Sequence, residues 1–207
     1  MFRDRWEAGE RLAGYLQEQG VTADIVLAVP RGGLPAGRAV ADVLGVPLDI
    51  VVARKMGAPG NPELAIGAVA SDGSVWRNEA LIQQLGVEQD YLERVRQEEA
   101  ANARDKFDRY RGDRPDPELT GKRVVIVDDG VATGATTVAC IRQAYSDGAA
   151  EVILAVPVAP PESVRRLEEE ADRVLAIATP ESFMAVGQFY ETFGQVTDEE
   201  AMTYLAR

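Results

Sequence analysis

The chain of 207 residues has no histidine and one cysteine, Cys140. Without an imidazole there is no Ser-His-Asp or Cys-His triad, no histidine proton shuttle, and no His-ligated zinc or haem. One cysteine cannot form a disulfide within the chain, which fits a cytoplasmic address better than an oxidising one. Basic residues are outnumbered 22 to 34, giving a net charge of −12. Such a chain repels nucleic acid and anionic membrane as a whole, so neither is expected as a partner. No apolar run reaches the roughly 18 to 20 residues that span a bilayer. The N-terminal Met-Phe-Arg-Asp-Arg-Trp-Glu is charged and is expected not to be a secretory signal. Lysine is scarce as well: Lys55, Lys106 and Lys122 stand among 22 basic residues. Any chemistry must therefore run on carboxylates, arginine or lysine, hydroxyls, backbone amides or a hard metal ion.

What is present is an alternation of short apolar runs and helical patterns in a chain long enough to bury a core. Arg5 to Gln19 carries Trp6, Leu12, Tyr15 and Leu16 at helical spacing, and Gly20 ends it. Asp24 to Val29 and Leu48 to Ala53 read as strands flanking a helix from Leu34 to Leu44. Continuous apolar runs of this kind suit strands buried on both faces of a parallel sheet. Arg54 to Glu63 holds two glycines and two prolines and reads as a mobile loop. A hairpin follows over Ile66 to Arg77, then helices from Asn78 to Leu85 and from Glu88 to Arg111. In the second of these helices Asp105 is spaced to pair with Arg109. After a proline-containing linker, strands are predicted at Arg123 to Asp128, Glu151 to Val158 and Arg173 to Ala178. Helices are predicted at Ala135 to Asp147 and Pro161 to Ala171, and the Thr197…Glu200 capping box opens a last one. The pattern predicts a single α/β domain over 1–207: an open, mainly parallel twisted sheet with helices on both faces.

The most informative segment is Val124-Val-Ile-Val-Asp-Asp-Gly-Val-Ala-Thr-Gly-Ala-Thr-Thr137. Four apolar residues run into Asp128 and Asp129, and a turn with Gly130 and Gly134 leads into a helix. In an open α/β sheet this is the strand edge at which ligands bind. Glycines, threonine hydroxyls and free helix amides make an anion cradle suited to a phosphate. The two aspartates would repel that phosphate, and suit hydroxyl groups or a cation on the rest of the ligand. A polar-capped turn would explain the glycines and threonines but not two adjacent carboxylates, each costly beside the other. A Walker A loop is excluded because no lysine lies between Asp129 and Thr137.

This segment resembles the phosphoribosyl-diphosphate motif of the type I phosphoribosyltransferases over its full length. Carried over by position, Asp128 and Asp129 would meet the ribose hydroxyls. Gly130, in the turn, would border the substrate too, and Ala132, Thr133, Gly134, Ala135 and Thr136 would hold the 5-phosphate. Pro30-Arg31-Gly32-Gly33 stands where the family places a loop against the pyrophosphate. Its residues agree, since Arg31 offers a forked cation and Gly32 and Gly33 let amides approach. Arg54-Lys55-Met-Gly-Ala-Pro-Gly60 is similar to the closing loop of adenine-type members, so Arg54 and Lys55 would face the departing pyrophosphate. The resemblance covers roughly residues 20 to 160, in the branch sharing Val-Pro-Arg-Gly-Gly and Gly-Ala-Pro-Gly-Asn-Pro-Glu. A small hood over the acceptor would come from 1–20 and 180–207, where Phe183, Phe189 and Tyr190 could stack on a base or belong to the core.

The resemblance implies transfer of the 5-phosphoribosyl group from 5-phosphoribosyl 1-diphosphate to a nitrogen acceptor, a nucleobase first, with release of pyrophosphate. Mg²⁺ is implied as cofactor, held mainly by substrate oxygens, with Asp128 and Asp129 reaching it through water. The 6-oxopurine enzymes carry an aspartate where this chain has Ala132, which counts against hypoxanthine or guanine. Glu63 is then the remaining candidate acid or base, and Asp129 is counted with Arg54, Lys55 and Glu63 among the candidate catalytic residues. Two other functions stay open: a non-catalytic sensor of the diphosphate or a nucleotide, and a hydrolase or phosphorylase using the same pocket. A homodimer is a common assembly in the family and in general.

Overall fold

The structure is a computed structural model that describes residues 1–206. In chain order it contains α1 (Arg5–Glu18), β1 (Ile25–Ala28), α2 (Gly33–Leu44), β2 (Leu48–Ile50), β3 (Ala53–Ala58) and β4 (Asn61–Ala70). Next come β5 (Val75–Arg77), α3 (Glu79–Leu85), α4 (Gln89–Arg111), β6 (Arg123–Val127) and α5 (Ala135–Ser146). The chain finishes with β7 (Glu151–Val158), α6 (Pro161–Glu168), β8 (Arg173–Ala178), a 3₁₀ turn at Val186–Phe189 and α7 (Asp198–Ala206). Five strands pair in parallel in the order β2-β1-β6-β7-β8. The chain is thus an α/β protein with an open parallel sheet.

The continuous apolar runs have a direct cause in this sheet. Val26, Ala28, Val125, Val127, Ile153 and Ala155 join Leu12 and Leu16 of α1 and Val40 of α2 in one core cluster. The alternate residues Ile25, Leu27, Val124, Ile126, Val152 and Leu154 join Ile141 of α5 and Leu167 of α6 in another. Successive strand residues point to opposite faces, and helices cover both, so neither face tolerates a polar residue. Each fully buried Leu or Ile contributes roughly 1.5–3 kcal/mol of transfer energy. α1 is opened by Asp4, whose carboxylate accepts from the Glu7 amide at 2.8 Å. It packs in the helix layer through Leu12 and Leu16, while Arg5 at its start reaches the sheet edge.

One expectation is overturned. Residues 54–63 are not a loop but most of a β-ribbon, in which β3 pairs antiparallel with β4, and β4 with β5. Pro59 and Gly60 form the tip, with Gly60 at φ +73, and register shifts at Met56/Gly57 and Gly57/Ala58 absorb the glycine-rich stretch. The glycines and prolines that look like loop signals are a turn and a bulge within a long hairpin. Met56, Ile66 and Val69 of the ribbon pack with Ile82 of α3 and Leu92 of α4 in a core of their own. α4 is anchored at its far end by Arg111, 4% exposed, which forks onto Asp49 of β2 at 2.7 and 2.9 Å.

Candidate functional site

β1 and β6 are neighbours, with β2 beyond the first and β7 beyond the second. The loops leaving β1 and β6 therefore part to opposite sides and open a crevice at the carboxyl ends of the strands. The first loop is Pro30–Gly33 and the second Asp128–Gly134, so the two sequence motifs meet at this point. The Val29 amide donates to the Val127 carbonyl at 2.9 Å, which sets the loops side by side. A Cβ at Gly32 would lie 2.2 Å from Asp129 Oδ2, and one at Gly33 2.7 Å from the Val127 carbonyl. Only glycine lets the first loop lie this close to the acidic pair. The Pro30–Arg31 peptide is cis.

The acidic pair is largely withdrawn from water. Asp128 Oδ1 accepts from the Asp129 amide at 2.8 Å. Asp129 Oδ2 takes Arg5 Nε at 2.6 Å, with both side chains close to buried at 12% and 13% exposure. Arg5 also donates to the Gly194 carbonyl at 2.6 Å and lies over the Phe193 ring, 3.8 Å from its centre. The Tyr190 hydroxyl donates to the Asp129 carbonyl at 2.5 Å. Burial, with the charge of Asp129 beside it, pushes the Asp128 carboxyl well above the usual carboxylate range. Burial raises Asp129 too, and Arg5 opposes the rise. Asp128 has no direct ion pair among the described residues.

The glycine-threonine turn follows. Gly134, at φ +80, precedes α5, whose N-terminus carries no side-chain cap. Its first-turn amides have no partner within the helix. α6 ties down the outer side of the turn: Ser163 Oγ donates to the Ala132 carbonyl, and Arg166 donates to the Thr133 carbonyl at 2.7 Å. A side chain at Gly130 would collide with Val186, and Thr137 is buried. A cavity of 490 Å³ opens beside Ala132 and Thr133, with Arg165, Arg166, Phe183 and Met184 on its walls.

Cations gather on the other side of the crevice. Arg31 and Arg109 both bind Asp198 of α7, at 3.2 and 3.1 Å, and the Tyr110 hydroxyl donates to the same carboxylate. The predicted Asp105–Arg109 pair thus gives way to a contact across the fold. Lys106 Nζ donates to the Pro30 carbonyl at 2.9 Å. Burial, then the charges of Arg54 and Arg31, pull its pKa down to about 8. Lys106 lines two cavities at once. One, of 480 Å³, is shared with Arg5, Arg31, Gly32 and Asp129. The other, of 350 Å³, is shared with Arg54, Asn102, Asp105 and Arg109.

Arg31 and Arg54 therefore approach a common point, and Lys55 stands apart. Neighbours in a strand face opposite ways; Arg54 turns to Glu99 of α4 at 3.0 Å, and Lys55 to Glu63 at 3.1 Å. Glu63 is 89% exposed, and neither Lys55 nor Glu63 lines the crevice. Residues that carry no motif signal include Arg5, Tyr190, Lys106 and Asp198. The rarity of lysine is the one pointer to Lys106. Arg5 lies 124 residues from its partner and leaves no local pattern.

Residues 5–192 match the phosphoribosyl transferase domain family. The chain belongs to this family. Over all 207 residues it is 41% identical to a Mycobacterium tuberculosis protein provisionally named a phosphoribosyl transferase. It spans only 47% of that relative's length, about half. A protein of Thermus thermophilus of known structure is 44% identical and superposes with a TM-score of 0.84, covering 99% of this chain and 97% of that one. A purine phosphoribosyltransferase from Pyrococcus horikoshii shares the fold at 20% identity, with a TM-score of 0.50 over 92% of this chain and 90% of that one.

Proposed function

We propose that the chain transfers the 5-phosphoribosyl group from 5-phosphoribosyl 1-diphosphate to a nitrogen acceptor, with a nucleobase as the first candidate. The observation that carries this is the apposition of Gly32 and Gly33 to Asp128 and Asp129 at the reversal of strand order. It sets an acidic pair for hydroxyls between two places that favour anions. Asp128 and Asp129 would accept from the ribose hydroxyls. The turn from Ala132 to Thr136 would hold the 5-phosphate on helix amides and hydroxyls. Arg31 and the Gly32–Gly33 backbone would meet the diphosphate. The C1–O bond to diphosphate breaks as the acceptor nitrogen bonds to C1, so catalysis consists of orientation and of stabilising the leaving charge. The cavity beside Ala132 and Thr133, with Phe183 on its wall, has room for a flat acceptor.

Mg²⁺ fits this site in a restricted way. Asp128 and Asp129 are hard oxygen donors whose mutual repulsion a cation relieves. Among the described residues there is no group of three or more acidic, cysteine or histidine side chains able to hold a metal. Most ligands would therefore be substrate oxygens and water. Bound there, the ion would neutralise charge on the leaving diphosphate. Arg54, Lys55 and Glu63 ride on the ribbon, and a direct role for Lys55 or Glu63 requires the ribbon to bend over the crevice. No helix of the described residues is long and apolar enough to cross a membrane; a cytoplasmic homodimer is the working expectation.

The test is pyrophosphate release from 5-phosphoribosyl 1-diphosphate with a panel of bases, with and without Mg²⁺. Release that depends on both acceptor and metal supports transfer. Release without acceptor favours a hydrolase, and binding without release favours a sensor.

A further inference from the structure

We propose that Lys106, outside every motif of the sequence, is a binding residue for the leaving diphosphate and joins the crevice to a second cation-lined cavity into which that anion extends. The inference rests on the transferase reading and names the residue that serves the departing group. Its first support is position: Lys106 is common to the walls of the Asp129–Arg31 cavity and the Arg54–Arg109 cavity. Lys106 thus borders both the Gly32 side and the Arg54 side. The second support is tethering. Lys106 holds the Pro30 carbonyl at 2.9 Å, at the head of the loop that carries Arg31 and Gly32. The third is a carboxylate already seated in this cluster: Asp198 takes both Arg31 and Arg109, and the Tyr110 hydroxyl. Two forked guanidinium groups and a phenol around two oxygens is a geometry that also suits a phosphoryl group.

Charge agrees with this placement. In a chain of net charge −12, Arg31, Arg54, Lys106 and Arg109 crowd together. The acids around them are Asp129, paired with Arg5 on the wall of the first cavity, Asp198 of α7, Asp105 on the wall of the second cavity, and Glu99, which holds Arg54. Tyr110 lies one turn beyond Lys106 on α4, its ring 5.7 Å from Nζ. Burial, then crowding by Arg54 and Arg31, depresses the lysine, and an incoming polyanion opposes both, so anion binding and protonation of Lys106 are linked. With the free amine near pH 8, anion affinity is full below that value and falls above it, by at most tenfold per pH unit for one linked proton.

The experiment is calorimetric titration of the full chain with three probes: inorganic pyrophosphate, 5-phosphoribosyl 1-diphosphate and ribose 5-phosphate. Lys106→Met is expected to weaken the two diphosphate probes by about tenfold. It is expected to leave ribose 5-phosphate within about twofold of wild type, because that sugar does not reach the second cavity. Lys106→Arg is expected to keep pyrophosphate affinity at pH 7 and to lose the decline that wild type shows above pH 8, beyond the change from pyrophosphate's own titration. Equal loss for all three probes, as a misfolded or merely structural variant would give, overturns the proposal, as does unchanged pyrophosphate affinity. A wild type that binds pyrophosphate through Lys106 but releases none from donor and base keeps Lys106 as a diphosphate-binding residue and sinks the transferase reading. A wild type that binds no probe sinks both.

Discussion

The two walls of the crevice are built on different principles. One is the carboxyl edge of the parallel sheet, where Asp128 and Asp129 continue a strand buried on both faces. The other is assembled from the Arg31 loop, the ribbon, α4 and α7, held by side-chain contacts such as Arg54–Glu99, Lys106 to Pro30, and Arg31 and Arg109 to Asp198. The first wall is acidic and continues the backbone of β6, with Arg5 and Tyr190 holding Asp129. The second is basic and fixed by ion pairs between segments distant in sequence. The proposed substrate, a phosphorylated sugar with a diphosphate, would draw on both: hydroxyl acceptors on one wall and cations that exchange Asp198 or Glu99 for phosphate on the other.

The largest effect comes from removing the acidic wall. Asp128→Asn with Asp129→Asn is expected to weaken 5-phosphoribosyl 1-diphosphate by more than about a hundredfold, because several charge-assisted hydrogen bonds disappear together. Calorimetry showing wild-type affinity would remove the pair from the site. The next effect is on stability and strikes the basic wall. Arg111→Met strips Asp49 of its buried fork and loosens α4, which carries Lys106; about 3–5 kcal/mol is expected from denaturant unfolding. A loss below about 1 kcal/mol would mean that α4 stays in place by its apolar contacts alone.

The two walls also differ in how legible they are. The sheet edge can be read because its residues are contiguous: four apolar residues, two aspartates and a glycine-threonine turn constrain each other locally. The five parallel strands and their helices follow from the same continuity of apolar runs. The ribbon reads as a loop because Gly57, Pro59, Gly60 and Pro62 carry turn chemistry whether or not strands flank them. The cation wall is only half visible. Arg31 sits in a motif, but the partners of Arg31 and Lys106 lie 167 and 76 residues away, and Arg5, which holds Asp129 of the acidic wall, is 124 residues from it. Contacts at that separation leave no periodicity, and only the fold brings them together.

A smaller and opposite effect tests whether the acidic wall is kept at the expense of stability. The folded-state pKa of Asp128 is raised above its unfolded value by burial and by Asp129. The carboxyl therefore favours folding only while protonated, below its unfolded pKa near 4, and that contribution is lost as pH rises through the folded pKa. Asp128→Asn alone keeps an oxygen for the Asp129 amide and carries no charge. It is expected to raise the melting temperature at pH 7 by about 2–4 °C, for roughly 1 kcal/mol in a chain of this size. The gain should shrink towards pH 4. A lower melting temperature at pH 7 would mean that the Asp128 charge is compensated in the folded chain.

The smallest effect separates neighbours on one strand. Arg54 faces α4 and the cavity it shares with Lys106, whereas Lys55 faces outward to Glu63. An exposed pair of this kind contributes at most about 1 kcal/mol, so Lys55→Ala should leave the melting curve almost unchanged. Arg54→Ala is expected to weaken pyrophosphate about threefold to tenfold, and Lys55→Ala less than about twofold, since only one of them borders the anion's path. Turnover is the sharper readout. If Lys55→Ala lowers kcat while pyrophosphate affinity holds, the ribbon must bring its outer face over the crevice during the reaction, and the basic wall would then be mobile where the acidic wall is rigid. If kcat and affinity are both unchanged, Lys55 and Glu63 are surface charges, and the leaving group is served by Arg31, Arg54 and Lys106 from the side of the crevice.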